Sequence, residues 1–304
     1  MAEQQSVLVR VPATTANLGP GFDCLGLALD IWNEIEFSVF GDALSISIEG
    51  EGSDSLPKDS SNLIYQCMQA VSSRASRPLP EGLHIKCRNS IPVSSGLGSS
   101  AAAVIAGLLG AKALLNFQIE DQELLNLALP FEGHADNISA CLLGGLAISV
   151  VTPENLIVKK LSIEPLHTVI ALPEISMSTH QARAALPTSI ALQDAVFNIG
   201  RTALTVTSLL EGDYENLKIA MQDRLHQPYR FGLIPGAEAA ISAALAAGAF
   251  GAALSGAGPS VIAFVNQDHQ KVTRNIQRAF ESVKTPIRIF TSVSSNLGAQ
   301  VVMR

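Results

Sequence analysis

Residues 92–102 read Pro92-Val93-Ser94-Ser95-Gly96-Leu97-Gly98-Ser99-Ser100-Ala101-Ala102, a glycine–serine segment that runs straight into helical spacing at Ala101, Val104, Ile105, Leu108 and Leu115. A helix start exposes unpaired N–H groups and the positive end of the macrodipole, and glycines let the backbone close around an anion. The pattern therefore suits phosphate, with the Ser99 and Ser100 hydroxyls able to add hydrogen bonds or reach a magnesium ion. The competing reading is a plain turn at Gly96 and Gly98 followed by a helix that Ser99 caps. The segment is not a Walker A loop, because no lysine follows the glycines at that spacing, and it is not a Gly-x-Ser-x-Gly nucleophile elbow.

Five further segments carry chemistry-bearing side chains. Residues 11–26 form a polar, glycine-rich stretch with one amide, Asn17, and one carboxylate, Asp23, which reads equally as a connection or a binding loop. Residues 132–137 place Glu132, His134, Asp136 and Asn137 within six positions. Residues 254–260 (Leu-Ser-Gly-Ala-Gly-Pro-Ser) precede an apolar strand and alone suggest a turn. Arg183 and Arg230 each offer the two-pronged donor that fits a carboxylate, although either, taken by itself, reads as a surface arginine. His84, His167, His226 and His269 read as structural or exposed, and His180 has no assigned role. Cys24, Cys67, Cys87 and Cys141 form no CxxC pair and read as free thiols.

Residues 92–102 match every fixed position of the P-x-x-x-G-L-G-S-S-A-A motif of the GHMP kinases, and residues 254–260 resemble that superfamily's C-terminal glycine loop. Residues 12–23 resemble the P-x-T-x-A-N-L-G-x-G-F-D motif of one family within it, the homoserine kinases. Residues 132–137 resemble that family's E-G-H-x-D-N segment, and residues 178–183 and 223–230 resemble its arginine-bearing segments. The resemblance implies ATP-dependent phosphorylation of the side-chain hydroxyl of L-homoserine, a step of threonine biosynthesis. It implies that residues 92–102 wrap the triphosphate of ATP, that Ser100 and Glu132 hold Mg2+, and that Asn62 contacts the nucleotide. Asn17, Asp23, His134, Arg183 and Arg230 are then the substrate contacts, with Asp23 suited to the ammonium group and the arginines to the carboxylate. Asp136 and Asn137 fall where many superfamily members keep a catalytic aspartate. No base is assigned, and alignment with electrostatic stabilisation is expected to supply the rate. Rival readings are a GHMP kinase acting on mevalonate or a sugar, and a non-catalytic member of the fold.

The elements that must position these residues follow from the apolar pattern. Strand-like alternation occurs at Val7, Val9 and Val11, at Ile35, Phe37 and Val39, at Leu44, Ile46 and Ile48, and at Leu83, Ile85 and Cys87. Gly41-Asp42 reads as a hairpin turn joining the second and third of these runs. Downstream the pattern predicts helices at 121–129, 191–210, 213–223, 236–249 and 268–283, and strands at 142–151, 168–172, 261–265 and 287–292. Hairpin-like pairs without strict β/α alternation make the class α+β. Pro153 and Asn155 suggest a boundary, giving domains 1–155 and 156–304. The resemblance implies that the first has a ribosomal-S5-like, ATP-binding fold and the second a ferredoxin-like one.

Among the 304 residues, 47% are hydrophobic and 15% charged, enough to bury large cores, and the formal net charge of −7 argues against nucleic acid or an anionic membrane as partner. No secretory signal and no run of about 18 apolar residues stands out, so a cytoplasmic location is expected. Homodimerisation is an expectation at the level of the resembled family only.

Overall fold

The computed structural model of the chain describes residues 6–303. The Val7–Val11 alternation forms β1 (Ser6–Ala16), which pairs antiparallel with β2 (Leu25–Val39) through a register shift at Pro12/Ala13. β3 (Ser45–Gly50) does not fold back on β2, so the hairpin expected at Gly41-Asp42 is absent. Instead α1 (Leu63–Ala75) carries the chain to β4 (Leu83–Asn89), which lies antiparallel to β2 and parallel to β3. A parallel pair needs a crossover of about a dozen residues or more, and α1 supplies it. β3 then takes the sheet edge with Ile46 and Ile48 inward and Ser45, Ser47 and Glu49 outward, a polar rim that suits an unpaired edge.

α2 (Ser99–Leu114), α3 (Asp121–Glu132) and α4 (Asp136–Leu143) follow, then β5 (Leu146–Val151) and β6 (Leu156–Leu161). The strand expected from residue 142 thus begins at Leu146, and Leu142 and Leu143 end a helix. A short buried apolar run has no periodicity to separate the two states. The second half holds β7 (His167–Pro173), α5 (Thr179–Ala184), α6 (Leu192–Glu211), α7 (Leu217–Ala220), α8 (Gln227–Arg230), α9 (Ala237–Ala246), β8 (Gly251–Leu254), β9 (Val261–Val265), α10 (Gln270–Ser282), β10 (Ile287–Val293) and β11 (Gln300–Met303). The helix expected over 213–223 is a 3-10 turn at Tyr214–Asn216 plus α7, and it stops at Ala220. Beyond it Asp223 spends its carboxylate on the backbone N–H groups of Leu225, His226 and Gln227, which shapes a loop rather than a further turn.

The class is α+β. One seven-stranded sheet has the order β11-β1-β2-β4-β3, with β5 and β6 branching from β2, and a four-stranded antiparallel sheet has the order β10-β7-β9-β8. β6 and β11 both hydrogen-bond into the first sheet, so that sheet draws strands from either side of residue 155.

α2 is the rod that aims the phosphate-loop motif, and Ala101, Ala102 and most of its residues through Ala111 are buried. Gly107 and Gly110 let it lie close to its neighbours. A Cβ at 107 would meet the carbonyl oxygen of Ile64 in α1, and one at 110 would meet the Phe37 ring at 2.5 Å. Helix propensity alone favours alanine at 107 by about 1 kcal/mol, but an α1 backbone atom cannot yield as a side-chain tip can. Gly107→Ala should therefore lower the unfolding free energy by about 1–3 kcal/mol, measured by urea denaturation, and a gain in stability would show that α1 and α2 are not locked together.

Candidate active site

Three glycine-rich segments meet at the start of α2. Gly98, its N-cap, and Gly96 both hold left-handed φ, and neither has room for a side chain. A Cβ on Gly96 would meet the carbonyl oxygens of Ser255 and Gly258, and one on Gly98 would meet Thr14 Oγ1. The loop is braced by Ser95 Oγ, which donates to Pro92 O (2.7 Å) and accepts from Leu97 N (3.2 Å). Thr14 N donates to Leu97 O at 3.1 Å and Ser260 N to Ser95 O at 3.2 Å. Ser255 Oγ donates to Gly96 O at 2.7 Å. Among the residues expected at the nucleotide, Val93, Ser94, Ser95, Gly96, Gly98, Ser99 and Ser100 line the cleft, whereas Pro92, Leu97, Ala101 and Ala102 are buried behind it.

This cleft has a volume of about 600 Å³ and runs from the loop between apolar walls that include Ile35, Ile48, Leu56, Leu63, Cys87 and Phe131. Asn62 lies in the wall, but its amide is already engaged. Oδ1 caps α1 by accepting from Ile64 N at 3.0 Å, and Nδ2 donates to Pro57 O at 2.6 Å. Glu132, at the end of α3, opens on the same cleft as Ser100. Burial pushes its carboxyl above the usual carboxylate range, with the Ser100 hydroxyl and the nearby His134 pulling the other way. A hydroxyl and a carboxylate are hard oxygen donors of the kind magnesium prefers, and magnesium takes few protein ligands.

A second, small pocket of about 20 Å³ adjoins the cleft, and His134, Asn137, Thr179, Gly256 and Ala257 line both. Its other walls carry Asn17, Phe22, Asp23, Asp136, Arg183 and Arg230. All the residues that sequence reading assigned to the substrate are therefore together. Asn17 and Asp23 hold left-handed φ, a conformation that costs about 1–3 kcal/mol in a non-glycine residue. Asn17 stabilises the bend by accepting from Asp23 N (3.0 Å) and donating to Gly256 O (2.8 Å). Arg183 grips Asp23 with both terminal nitrogens, at 3.1 and 2.7 Å. The Asp23 hydrogen bond raises the guanidinium's pKa.

Arg230 is 1% exposed. Burial, and then the like charge of Arg183, push it down to about 10, so it stays a cation at neutral pH. Its Nε donates to Ala182 O (3.2 Å), and Nη1 donates to His226 Nδ1 (2.9 Å) and Gly256 O (3.3 Å). At the junction of the pockets, Asp136 Oδ1 accepts from Asn137 N (2.7 Å) and lies 3.1 Å from His134 Nδ1. Burial works against a charge on His134, but its hydrogen bond to Asp136 and the charges of Asp136 and Glu132 outweigh this and raise its pKa. Thr14 Oγ1 donates to Asn137 Oδ1 at 2.7 Å, and Asn137 Nδ2 donates to Asp136 Oδ1 at 3.3 Å. Thr14, Phe22, Thr179 and His226 were not singled out from sequence. For His226, four residues before Arg230, the helical spacing was the available signal. The ring read as structural or exposed is fully buried.

Two family models match the chain, the GHMP kinases N terminal domain over residues 62–145 and the GHMP kinases C terminal over residues 205–282. A homoserine kinase of Moorella thermoacetica is 42% identical over 97% of the chain and 99% of its own length. Another, of Caldanaerobacter subterraneus, is 42% identical over 97% of the chain and 95% of its own length. A crystal structure of homoserine kinase from Cytophaga hutchinsonii superposes with a TM-score of 0.87 at 32% identity, covering 99% of both chains. No described helix is long and apolar enough to cross a membrane.

Burial and the Arg230 charge depress the pKa of His226, against the opposing pull of Asp223, Gly19 and Asp23. The unfolded chain therefore takes up this proton at about pH 6.5, while the native chain resists it to lower pH. The contribution is fully present above pH 6.5 and is lost as the pH falls through that value toward the native pKa. His134, with its raised pKa, has the opposite sign. Comparing wild type with His226→Asn in urea unfolding from pH 8 to pH 5 should isolate the His226 contribution. The wild type should lose up to about 1.4 kcal/mol per pH unit more than the variant below pH 6.5, and parallel curves would show that the native state protonates this ring freely.

Proposed function

The chain belongs to the GHMP kinases and, within them, to the homoserine kinase family, and from that membership we infer that it transfers the γ-phosphoryl group of ATP to the side-chain hydroxyl of L-homoserine. The products are O-phospho-L-homoserine and ADP, and the reaction serves threonine biosynthesis. The observation that carries the substrate reading is the charge set of the small pocket. Asp23 and two guanidiniums, Arg183 and Arg230, stand beside the phosphate loop, while the pocket's second carboxylate, Asp136, accepts from Asn137 N and lies 3.1 Å from His134. An amino-acid zwitterion satisfies all three, Asp23 taking the ammonium and the arginines the carboxylate. Mevalonate, an anion without an ammonium group, or a neutral sugar would leave the Asp23–Arg183 pair closed and use at most the arginine side of the pocket. Asp23 and Arg183 grip one another across the pocket, so the arriving substrate exchanges one ion pair for two.

ATP fits the cleft with its base between the apolar walls and its phosphates on the N–H groups of residues 94–100 at the positive end of α2. Ser100 and Glu132 are the residues to hold Mg2+, and their oxygen donors fit it. Magnesium, when bound, neutralises charge on the β- and γ-phosphates. The homoserine hydroxyl then lies at the junction, in reach of Asn137 and His134. As its oxygen forms the bond to the γ-phosphorus, the bond to the bridging oxygen of ADP breaks, and the hydroxyl proton passes to an oxygen of the transferred phosphoryl group, from which solvent takes it. No residue is assigned as the base, and alignment with a prepared electrostatic environment supplies the rate.

The test is an ADP-release assay with Mg-ATP and L-homoserine, L-serine, L-threonine, mevalonate and galactose, with the product identified by phosphorus NMR. Homoserine should be turned over to O-phosphohomoserine with the highest kcat/KM, and preference for mevalonate or galactose would sink the substrate reading. Arg230→Ala should raise the homoserine KM at least ~30-fold, the expected cost of losing a buried charged contact, while the ATP KM stays within about twofold.

A further inference from the structure

His226 has no part in the contacts assigned above, yet it is fully buried directly behind one of them. It stands at the start of α8 and Arg230 at its end, four residues apart, so the two side chains lie one above the other. The 2.9 Å contact between Arg230 Nη1 and His226 Nδ1 has only one possible sense. Arginine has no acceptor, so Nη1–H donates and Nδ1 keeps its lone pair. At the other edge of the ring, Nε2 stands 2.7 Å from the carbonyl oxygen of Gly19. A carbonyl cannot donate, so Nε2 carries the proton. The two neighbours together specify the neutral ring in one tautomer. Its face stacks on Phe22 at 5.2 Å between centroids, and the Arg230 guanidinium lies 5.3 Å from the same Phe22 ring.

Arg230 is thereby held at Nε by Ala182 and at Nη1 by His226 and Gly256. Nη2 makes no hydrogen bond to any described residue, and Arg230 lines the pocket. Gly19 belongs to the loop that carries Asn17 and Asp23. We propose that His226 is a positioning residue for the amino-acid substrate: with its Nε2 proton donated to the Gly19 carbonyl, Nδ1 is the acceptor that holds Arg230 Nη1 and so presents Nη2 to the substrate carboxylate. The inference rests on the reading of Arg230 as a carboxylate ligand.

Two substitutions separate this role from mere packing. In His226→Asn the amide oxygen replaces Nδ1 and still accepts from Arg230, whereas in His226→Gln the amide nitrogen replaces Nε2 and keeps only the Gly19 contact. Steady-state kinetics on the full-length enzyme should show the homoserine KM raised about tenfold or more in His226→Gln, the worth of one hydrogen bond to a charged group. In His226→Asn it should stay within about threefold of wild type, and the ATP KM should stay within about twofold in both. Equal homoserine KM values in the two variants would overturn the proposal, whether both match wild type or both rise. Arg230→Ala in the same assay separates the two readings. A raised KM there beside an unchanged one in His226→Gln removes only the positioning role, and an unchanged KM in Arg230→Ala removes the carboxylate reading itself. Nitrogen-15 NMR of histidine-labelled wild type needs no variant to fold. A protonated Nε2 with an unprotonated Nδ1 at pH 7.5 is expected, and the other tautomer or an imidazolium would overturn the proposal.

Discussion

The rest of the site hangs on a close approach of backbones at the start of α2. Gly96 lies against the carbonyls of Ser255 and Gly258, and Gly98 against the Thr14 hydroxyl, with no space at either position for a Cβ. Those contacts bring together the end of β1, the entry to α2 and the turn between β8 and β9, segments more than 80 residues apart at their nearest and some 240 at their farthest. Because α2 is buried nearly all round, its N-terminal dipole and unpaired N–H groups are aimed by the whole first sheet rather than by the loop itself. An anion site of this kind is a by-product of packing, and its direction is as rigid as the core behind it.

Charge makes the second constraint. A buried guanidinium is expensive unless its donors are used, and Arg230 meets three acceptors, namely two carbonyls and the neutral His226 ring. None of the three is an anion, so its charge is supported but not cancelled. Of the pocket's two carboxylates, Asp23 is taken by the more exposed Arg183, and Asp136 is hydrogen-bonded to Asn137 and His134. Arg230 therefore has no direct anionic partner, while an exchangeable ion pair stands across the pocket. That polarity matches a zwitterion entering carboxylate first.

Much of this was legible in the sequence, and the exceptions have physical reasons. The phosphate loop could be read from a glycine–serine pattern running into a helix, whereas Glu132, His134, Asp23 and both arginines stood out only through the family's motifs, and the structure brings them to adjoining pockets. β3 was misassigned to β2 because the alternation Leu44, Ile46, Ile48 would bury the same face against either partner, and only the crossover through α1 decides between them. Residues 142–143 and 213–223 failed where apolar content could not distinguish helix from strand or foresee that Asp223 would hold a loop. Asn62 stands in the cleft wall, with its amide capping α1 through one atom and tying down Pro57 through the other. Thr14 was missed because it acts on another side chain, Asn137, and pairing across 123 residues has no trace in local pattern, whereas the spacing of four between His226 and Arg230 was a local signal left unused.

One carbonyl joins the two halves of the site. Gly256 O accepts from Asn17 Nδ2 at 2.8 Å and from Arg230 Nη1 at 3.3 Å, while Gly256 N donates to Ala16 O at 3.1 Å. The preceding residue, Ser255, bonds through its hydroxyl to Gly96 in the phosphate loop. The groups proposed to hold the amino acid and the loop proposed to hold the phosphates are thus referred to the same two residues of one turn. In that reading the distance between carboxylate and γ-phosphate is set by covalent geometry and a few short hydrogen bonds rather than by side-chain rotation. For a reaction in which the hydroxyl need only be brought in line with phosphorus, that shared reference is the larger part of the catalyst.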